Sequence, residues 1–315
     1  MKTSRRQILE GAATAIGAAL ASGARDEAAT RQTSKRPADE PFGYCLNTST
    51  VRGNNLDLMA EITVASKAGY TAIEPWLREV DAYTSKGGTL KDLAKHISDS
   101  GLTVEDTIAF NAWLDDDDTR RAASMENLKR EMDTVAQIGG KRIATPPGNN
   151  GNGVSLQNAA KYYIEALEIG AKMGVQPLME LWGQSPVLGP LQNGVTVAIE
   201  TGRPDASMLL DIAHLYRSGI QFPSLRQING ATLHVIHIND YPASVEPAKM
   251  TDGNRVYPGD GVAPFGQILR DLRDSGFRGY FSLELFNKDY WQLSADQNAK
   301  TGLEKIRAVV KKSLA

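Results

Sequence analysis

Three carboxylates and one imidazole occur where such groups are costly. Glu180 closes the run Pro177-Leu178-Met179-Glu180, Asp211 closes Met208-Leu209-Leu210-Asp211, and Glu284 follows Phe281-Ser282-Leu283. His237 lies within His234-Val235-Ile236-His237-Ile238-Asn239-Asp240. Each acid is embedded in apolar sequence that ought to be buried, and a buried carboxylate needs a cation or hydrogen bonds to compensate it. Taken singly, each fits a salt bridge or a helix cap as well as a metal site. Jointly, on four successive apolar runs, they favour a divalent ion that relieves the repulsion among the acids. Oxygen donors with one neutral nitrogen suit Mn2+, Mg2+ or Co2+, with Zn2+ as a further candidate. Such a site would move protons next to a carbonyl. An ion so held polarises a C=O and stabilises a metal-bound enediolate, and carboxylates beside it are groups able to move the proton.

The elements that must carry these residues alternate regularly. Strands are expected at Gly43–Asn47, Ala72–Trp76, Thr103–Ile108, Arg142–Thr145, Gln176–Leu181, Ser207–Asp211, Leu233–Asn239 and Tyr280–Leu285. Amphipathic runs at Leu56–Ala68, Leu90–Ser100, Arg120–Ile138, Leu156–Met173, Val195–Thr201, Pro264–Ser275 and Ala295–Lys312 predict the helices between and after them. Glycines 69, 101, 139, 174 and 276 stand where helices should stop. Eight strands, each followed by helix, predict an α/β fold, a single-domain (β/α)8 TIM barrel over residues 42–315. No Gly-x-Gly-x-x-Gly turn supports a dinucleotide fold instead. In such a barrel the chemistry collects at the carboxyl ends of the strands, which is where Glu180, Asp211, His237 and Glu284 fall.

Leu178-Met179-Glu180, Leu210-Asp211-Ile212-Ala213-His214, the His237-x-x-Asp240 strand, Asn254-Arg255-Val256-Tyr257-Pro258-Gly259-Asp260-Gly261 and Leu283-Glu284 follow one another at intervals resembling the xylose-isomerase-like barrels. These are the sugar phosphate isomerases/epimerases, and the pattern is similar to that of the ketose 3-epimerases over nearly all of residues 42–315. The resemblance implies that Glu180, Asp211, His237 and Glu284 ligate one metal. It also implies that Glu180 and Glu284 form the acid/base pair, and that His214 and Arg255 contact substrate oxygens. Barrels of this family often pair, which implies a homo-oligomer. Two departures bear on the substrate. The segment Tyr241–Asn254 lengthens the loop after strand seven, and Trp182-Gly183-Gln184-Ser185-Pro186 stands where the epimerases carry a second glutamate.

Further residues near strand ends are open to two readings. Trp76, Trp113 and Trp182 are placed either to stack on a sugar ring or to pack the core, and Trp113 and Trp182 are expected to contact the substrate. Glu74 either faces the barrel mouth or pairs with a basic neighbour. His234 is out of phase with His237 by the period of two and is expected to be structural. Asp115-Asp116-Asp117-Asp118 should cap the helix that follows.

The first residues are different material. Arg5 and Arg6 precede an alanine-rich apolar run from Gly11 to Ala24, with small residues at Ala19-Leu20-Ala21 and Ser22-Gly23-Ala24. This resembles a twin-arginine (Tat) signal peptide over residues 1–24, followed by a linker over 25–41, and implies export to the periplasm. The run is too short and weakly apolar for a stable membrane span, which takes about 20 strongly apolar residues. The chain carries 35 basic and 37 acidic residues, a net charge of −2, so no overall field draws it to nucleic acid. The lone Cys45 precludes an intrachain disulfide, and four histidines are too few for the histidine-rich, multi-metal site of a barrel endonuclease. The expected partner is a small sugar, cyclitol or keto-sugar, acted on by a metal-dependent isomerase or epimerase. A dehydratase using the same site, or a carbohydrate-binding barrel without turnover, stands as the alternative.

Overall fold

The computed structural model describes residues 41–315. The signal segment and all of the linker except Pro41 lie outside the described residues. Eight parallel strands run β1 (Gly43–Asn47), β2 (Ala72–Glu74), β3 (Thr103–Val104), β4 (Arg142–Thr145), β5 (Gln176–Glu180), β6 (Met208–Asp211), β7 (Val235–Ile238) and β8 (Tyr280–Leu283). Their order is β3-β2-β1-β8-β7-β6-β5-β4. The two edge strands are joined through Ile108, which bridges in parallel to Trp76 on one side and Ala144 on the other. The Ala144 amide donates to the Thr107 carbonyl at 3.0 Å and the Ile108 amide to the Pro75 carbonyl at 3.0 Å. These contacts close the circuit of a TIM barrel.

Strand β3 is shorter than the expected Thr103–Ile108, and the cause is local. Glu105 turns out of the ladder to ion-pair with Lys141 (2.7 Å) and Arg142 (3.0 Å). The Asp106 carboxylate accepts from the Thr107 amide at 2.8 Å. Side-chain bonds thus replace strand pairing at Glu105 and Asp106 before the chain rejoins the sheet at Thr107 and Ile108.

The helices are α1 (Leu58–Ala68), α2 (Leu77–Ser85), α3 (Leu90–Asp99), α4 (Asp118–Gln137), α5 (Leu156–Met173), α6 (Leu191–Glu200), α7 (Ile212–Arg217), α8 (Phe265–Asp274) and α9 (Ala295–Leu314). Their starts follow capping chemistry: Asp57, Thr89, Asp117, Ser155 and Ser294 each accept an amide of the first turn. Within the acidic run, Asp117 caps α4, and Asp115 grips Arg120 through two bonds of 2.8 and 2.7 Å. Among the described residues, no helix is long and apolar enough to cross a membrane.

Packing falls into two apolar layers. A large one joins helices to the outer faces of the strands. A small one, made of Trp76, Ile108, Ala144, Leu178, Leu209 and Val235, fills the barrel interior. Side chains two apart on a strand share a face. Leu178, Leu209 and Val235 are therefore followed on the inner face by Glu180, Asp211 and His237, one layer nearer the carboxyl end. His234 falls on the other phase, as the period requires.

Gly170 on α5 illustrates how closely helices meet the barrel. A β-carbon there would lie 2.4 Å from the Val175 carbonyl and 2.7 Å from Pro177 Cδ. Alanine normally stabilises a helix interior by about 1 kcal/mol over glycine. Here the clash with backbone reverses the sign, and Gly170→Ala is expected to cost about 1–3 kcal/mol. Thermal unfolding of the variant at or above the wild-type midpoint would contradict this packing.

Candidate active site

The register brings the inner-face residues together. Asp211 and His237 are direct partners across β6 and β7, and His237 is paired with Ser282 across β7 and β8. Glu284 follows β8 directly, and Glu180 ends β5. His237 Nδ1 lies 3.2 Å from Glu284 Oε2, 3.7 Å from Asp211 Oδ2 and 3.8 Å from Glu180 Oε1. Donor atoms of Asp211, His237 and Glu284 all fall within 4.8 Å of one another, and Glu180 stands just outside that tight set. All four side chains are buried.

The imidazole is held from behind. Its Nε2 is 2.9 Å from Glu74 Oε1, and Glu74 is fully buried and also bonded by Asn47 Nδ2 and the Ser282 hydroxyl. Glu74 therefore pairs with the His237 imidazole rather than facing solvent at the mouth, which decides between the two readings its sequence position left open. A proton on Nε2 toward Glu74 leaves Nδ1 facing the carboxylates, where it is a nitrogen donor once its own proton is given up, and Nδ1 is buried without a hydrogen-bond partner. Although burial works against it, the His237 carboxyl partner Glu74 is held below its ordinary range by the imidazole and its hydrogen bonds. Asp106 lies alongside, pushed well above the usual carboxylate range by burial and then by Glu74, so it is kept protonated there.

Polar residues at the strand ends orient the acids. Asp211 Oδ1 accepts the His214 amide at 2.8 Å and caps α7, while Oδ2 accepts from Asn239 (2.9 Å) and Arg255 (3.0 Å). Asn239 is held in turn by the Ala213 amide at 2.9 Å. Asn47 donates to both Glu74 (2.9 Å) and Glu284 (3.3 Å) and accepts the Trp76 indole N–H. Asn47, Asn239 and Asp106 escaped the sequence reading, although the signal that found the acids, a polar residue ending an apolar strand, also marks both asparagines.

Arg255 is buried and bridges Asp211, Glu284 (2.5 Å) and Asp252 (2.8 Å). Burial opposes its charge, and Asp211 and Glu284 more than outweigh that, raising its pKa further. In return, against the penalty of burial, Arg255 holds the Asp211 carboxyl far below the ordinary range. His214 lies 3.4 Å from Arg255 through Nε2 and is pushed by burial toward the neutral form. Burial, reinforced by Glu284 and Asp211, pushes Glu180 up to about 8.

A cavity of about 130 Å³ opens above these groups, lined by Trp76, Phe110, Trp182, His214, Arg255 and Phe286 as well as Glu180 and Glu284. Trp182, expected at a substrate, lines this cavity. Trp113, expected there too, does not. Its side chain is fully buried, its indole N–H donates to the Thr145 and Pro146 carbonyls at 3.0 Å, and its ring packs on Tyr163. The sugar-stacking role for Trp113 is thus corrected to core packing, because the loop before α4 folds the indole inward.

The donor chemistry fits a divalent ion. Three carboxylates converge on one uncommitted imidazole nitrogen, an oxygen-rich set that suits Mn2+, Mg2+, Co2+ or Zn2+. Residues 62–309 match the xylose isomerase-like TIM barrel model. The chain belongs to that family. It is 26% identical to the inosose isomerase of Bacillus velezensis, over 85% of this chain and 97% of that protein. It is 25% identical to the fructoselysine 3-epimerase of Escherichia coli O157:H7, over 78% and 91%. Among solved structures, the IOLI protein with a binding zinc atom superposes with a TM-score of 0.79 at 23% identity, covering 86% of this chain and 99% of that one. Family and relatives set the chain among isomerase and epimerase enzymes.

The same site predicts how metal uptake depends on pH. Burial lifts Glu180 to about 8, and the carboxylates of Glu284 and Glu74 raise His237 well above 6.5 despite its burial. Both groups therefore carry protons in the ion-free protein near neutrality, and a metal must displace them. With two protons to displace, affinity is expected to rise by up to about a hundredfold per pH unit between pH 6 and 8, with proton release. Titration calorimetry in buffers of differing ionisation enthalpy measures this. An affinity flat from pH 6 to 8 would contradict it.

Proposed function

We propose that this chain is a divalent-metal-dependent isomerase or epimerase acting on an uncharged cyclic or open-chain polyol that carries a ketone. The observation that carries the reading is the convergence of Glu180, Asp211 and Glu284 on the free Nδ1 of a buried histidine beneath an aromatic-lined cavity. Asp211, His237, Glu284 and Glu180 would hold the ion, which supplies Lewis-acid polarisation of a carbonyl and stabilises developing negative charge. Glu284, oriented by Arg255 Nη1 and Asn47 Nδ2, accepts a proton from the carbon next to the ketone. Glu180, in its acid form, returns one to the opposite face or the adjacent carbon. In the reverse direction the two exchange roles. His214 and Arg255 are placed to hydrogen-bond substrate oxygens at the cavity wall.

An uncharged substrate is favoured by what surrounds the cavity. Arg255 is the only cation lining it among the described residues, and its guanidinium is committed to three carboxylates. Asp252, Glu180 and Glu284 would repel a phosphate or carboxylate. Export through the segment at residues 1–24, proposed from the sequence, accords with this, since it would present free polyols rather than sugar phosphates. Fractionation of cells expressing the intact chain tests it, and retention of all protein in the cytoplasm would remove it.

The test of the activity is solvent exchange. Metal-loaded protein is incubated in D2O with inososes and free ketoses, and substrate and product are followed by NMR. Deuterium at the carbon next to the ketone, with formation of an isomer or epimer of unchanged mass apart from the label, is the expected result. Product lighter by one water would convert the reading to a dehydratase. No exchange with any member of the panel would leave only a binding function.

A further inference from the structure

The cavity is too small for more than one ring, yet its rim is built as though for two. At about 130 Å³, it is no larger than the cavity of about 150 Å³ that takes one benzene, so it has room for one six-membered ring. Its own lining carries a linked set of aromatic rings, Trp76, Phe110, Trp182 and Phe286, of which Phe110 is the most exposed. Phe110 lies 5.2 Å from Trp76 and 6.1 Å from Trp182, and Trp76 lies 6.0 Å from Phe286. Trp182 reaches the inner site, 6.1 Å from the His214 ring. The indole N–H of Trp76 is satisfied inwardly by Asn47, and Arg52 and Arg78 lie over its ring at 4.0 and 4.5 Å. Trp76 is thereby a fixed wall.

Phe110 is the exception in this set. It is 56% exposed, whereas Trp76 is 7% exposed. A solitary exposed apolar residue on a protein surface is ordinary. This one crowns three aromatics that line the same cavity as Glu180 and Glu284, on the short loop between the Ile108 bridge and α4. The described residues leave more than half of its surface uncovered. Fixed aromatic faces at a cavity mouth recognise the flat apolar face of another ring.

We propose that Phe110, with Trp76 and Trp182, forms a second subsite that holds an additional ring of the substrate, outside the polyol ring that lies against the acids. The substrate class is then a two-ring conjugate, a glycoside whose second ring is aryl or another pyranose. This rests on the reading of the inner cavity as a polyol site and deepens it. Asp252 at the opposite rim, 55% exposed, keeps the requirement that the conjugate be uncharged.

The test measures affinity of the Mn2+-loaded protein, by calorimetry, for methyl β-D-glucopyranoside, phenyl β-D-glucopyranoside and cellobiose. The two-ring probes are expected to bind about five- to tenfold more tightly than the methyl glucoside. Tight binding of the phenyl probe alone assigns an aryl ring, and of both two-ring probes a ring of either kind. Phe110→Ala should erase that preference, weakening the two-ring probes about five- to tenfold and the methyl glucoside less than about twofold, and Phe110→Trp should restore it. An unaltered thermal midpoint establishes that the variants are folded. Equal affinity for all three probes in the wild type, or equal losses in Phe110→Ala, would overturn the proposal. A changed sedimentation mass in Phe110→Ala with unchanged affinities would also overturn it, and would place Phe110 between copies of the chain. The two readings fail separately. Exchange on a single-ring ketone without ring preference removes only the second subsite, and ring preference without exchange removes only the catalysis.

Discussion

Glu180→Gln and Glu284→Gln are each expected to reduce solvent-deuterium exchange by about 10²–10⁴-fold. Glutamine keeps the shape and one oxygen donor but cannot take up or release the proton. The two variants should differ in a second readout. Glu284 belongs to the tight donor set with Asp211 and His237, whereas Glu180 stands outside it. Glu284→Gln should therefore lose metal affinity markedly, and Glu180→Gln should keep more of it. Metal content after dialysis, measured beside exchange, separates loss of the ion from loss of the proton shuttle. A Glu180→Gln protein that holds its metal and exchanges at the wild-type rate would remove Glu180 from the reaction.

Arg255→Met should have the largest effect on stability. In the ion-free protein the guanidinium neutralises Asp211 and Glu284, and all three side chains are buried. Its removal strands two carboxylates in a low-dielectric interior, at a cost of about 3–5 kcal/mol. For a chain of this size that corresponds to a fall in melting temperature of about 10 °C in the presence of a chelator. A divalent ion then has more charge left to compensate, and ligand binding to the folded state stabilises it by mass action. The rise in melting temperature on adding Mn2+ should exceed that of the wild type. Equal melting of the two proteins in chelator would show that Arg255 does not compensate the acids.

The strand-end acids were legible because alternation is a local property. Leu178 and Glu180, Leu209 and Asp211, and Val235 and His237 each lie two residues apart, so any strand there turns both inward. Strands at Gly43–Asn47 and Arg142–Thr145 and the helix Leu156–Met173 match their expected limits for the same reason. Two helices were missed. Helix α7 has six residues and starts on the cap of Asp211 itself, and α2 has nine, so each is too short for its period to stand out. Trp113 was misread because strand-end position alone does not tell whether an indole turns to the mouth or to the core.

What the sequence determined by itself, then, was which residue types stand at the carboxyl ends of buried strands, and hence the class of site. What only the tertiary structure decided was pairing. Glu74 meets His237 across 163 positions of chain and Asn47 meets Glu284 across 237, contacts that depend on the barrel closing. Whether an imidazole nitrogen is bonded or free, whether an arginine is committed or spare, and whether a phenyl ring is covered or exposed are all set by such distant neighbours. Periodicity along one strand carries no information about them, because it specifies a face and not what will be packed against it.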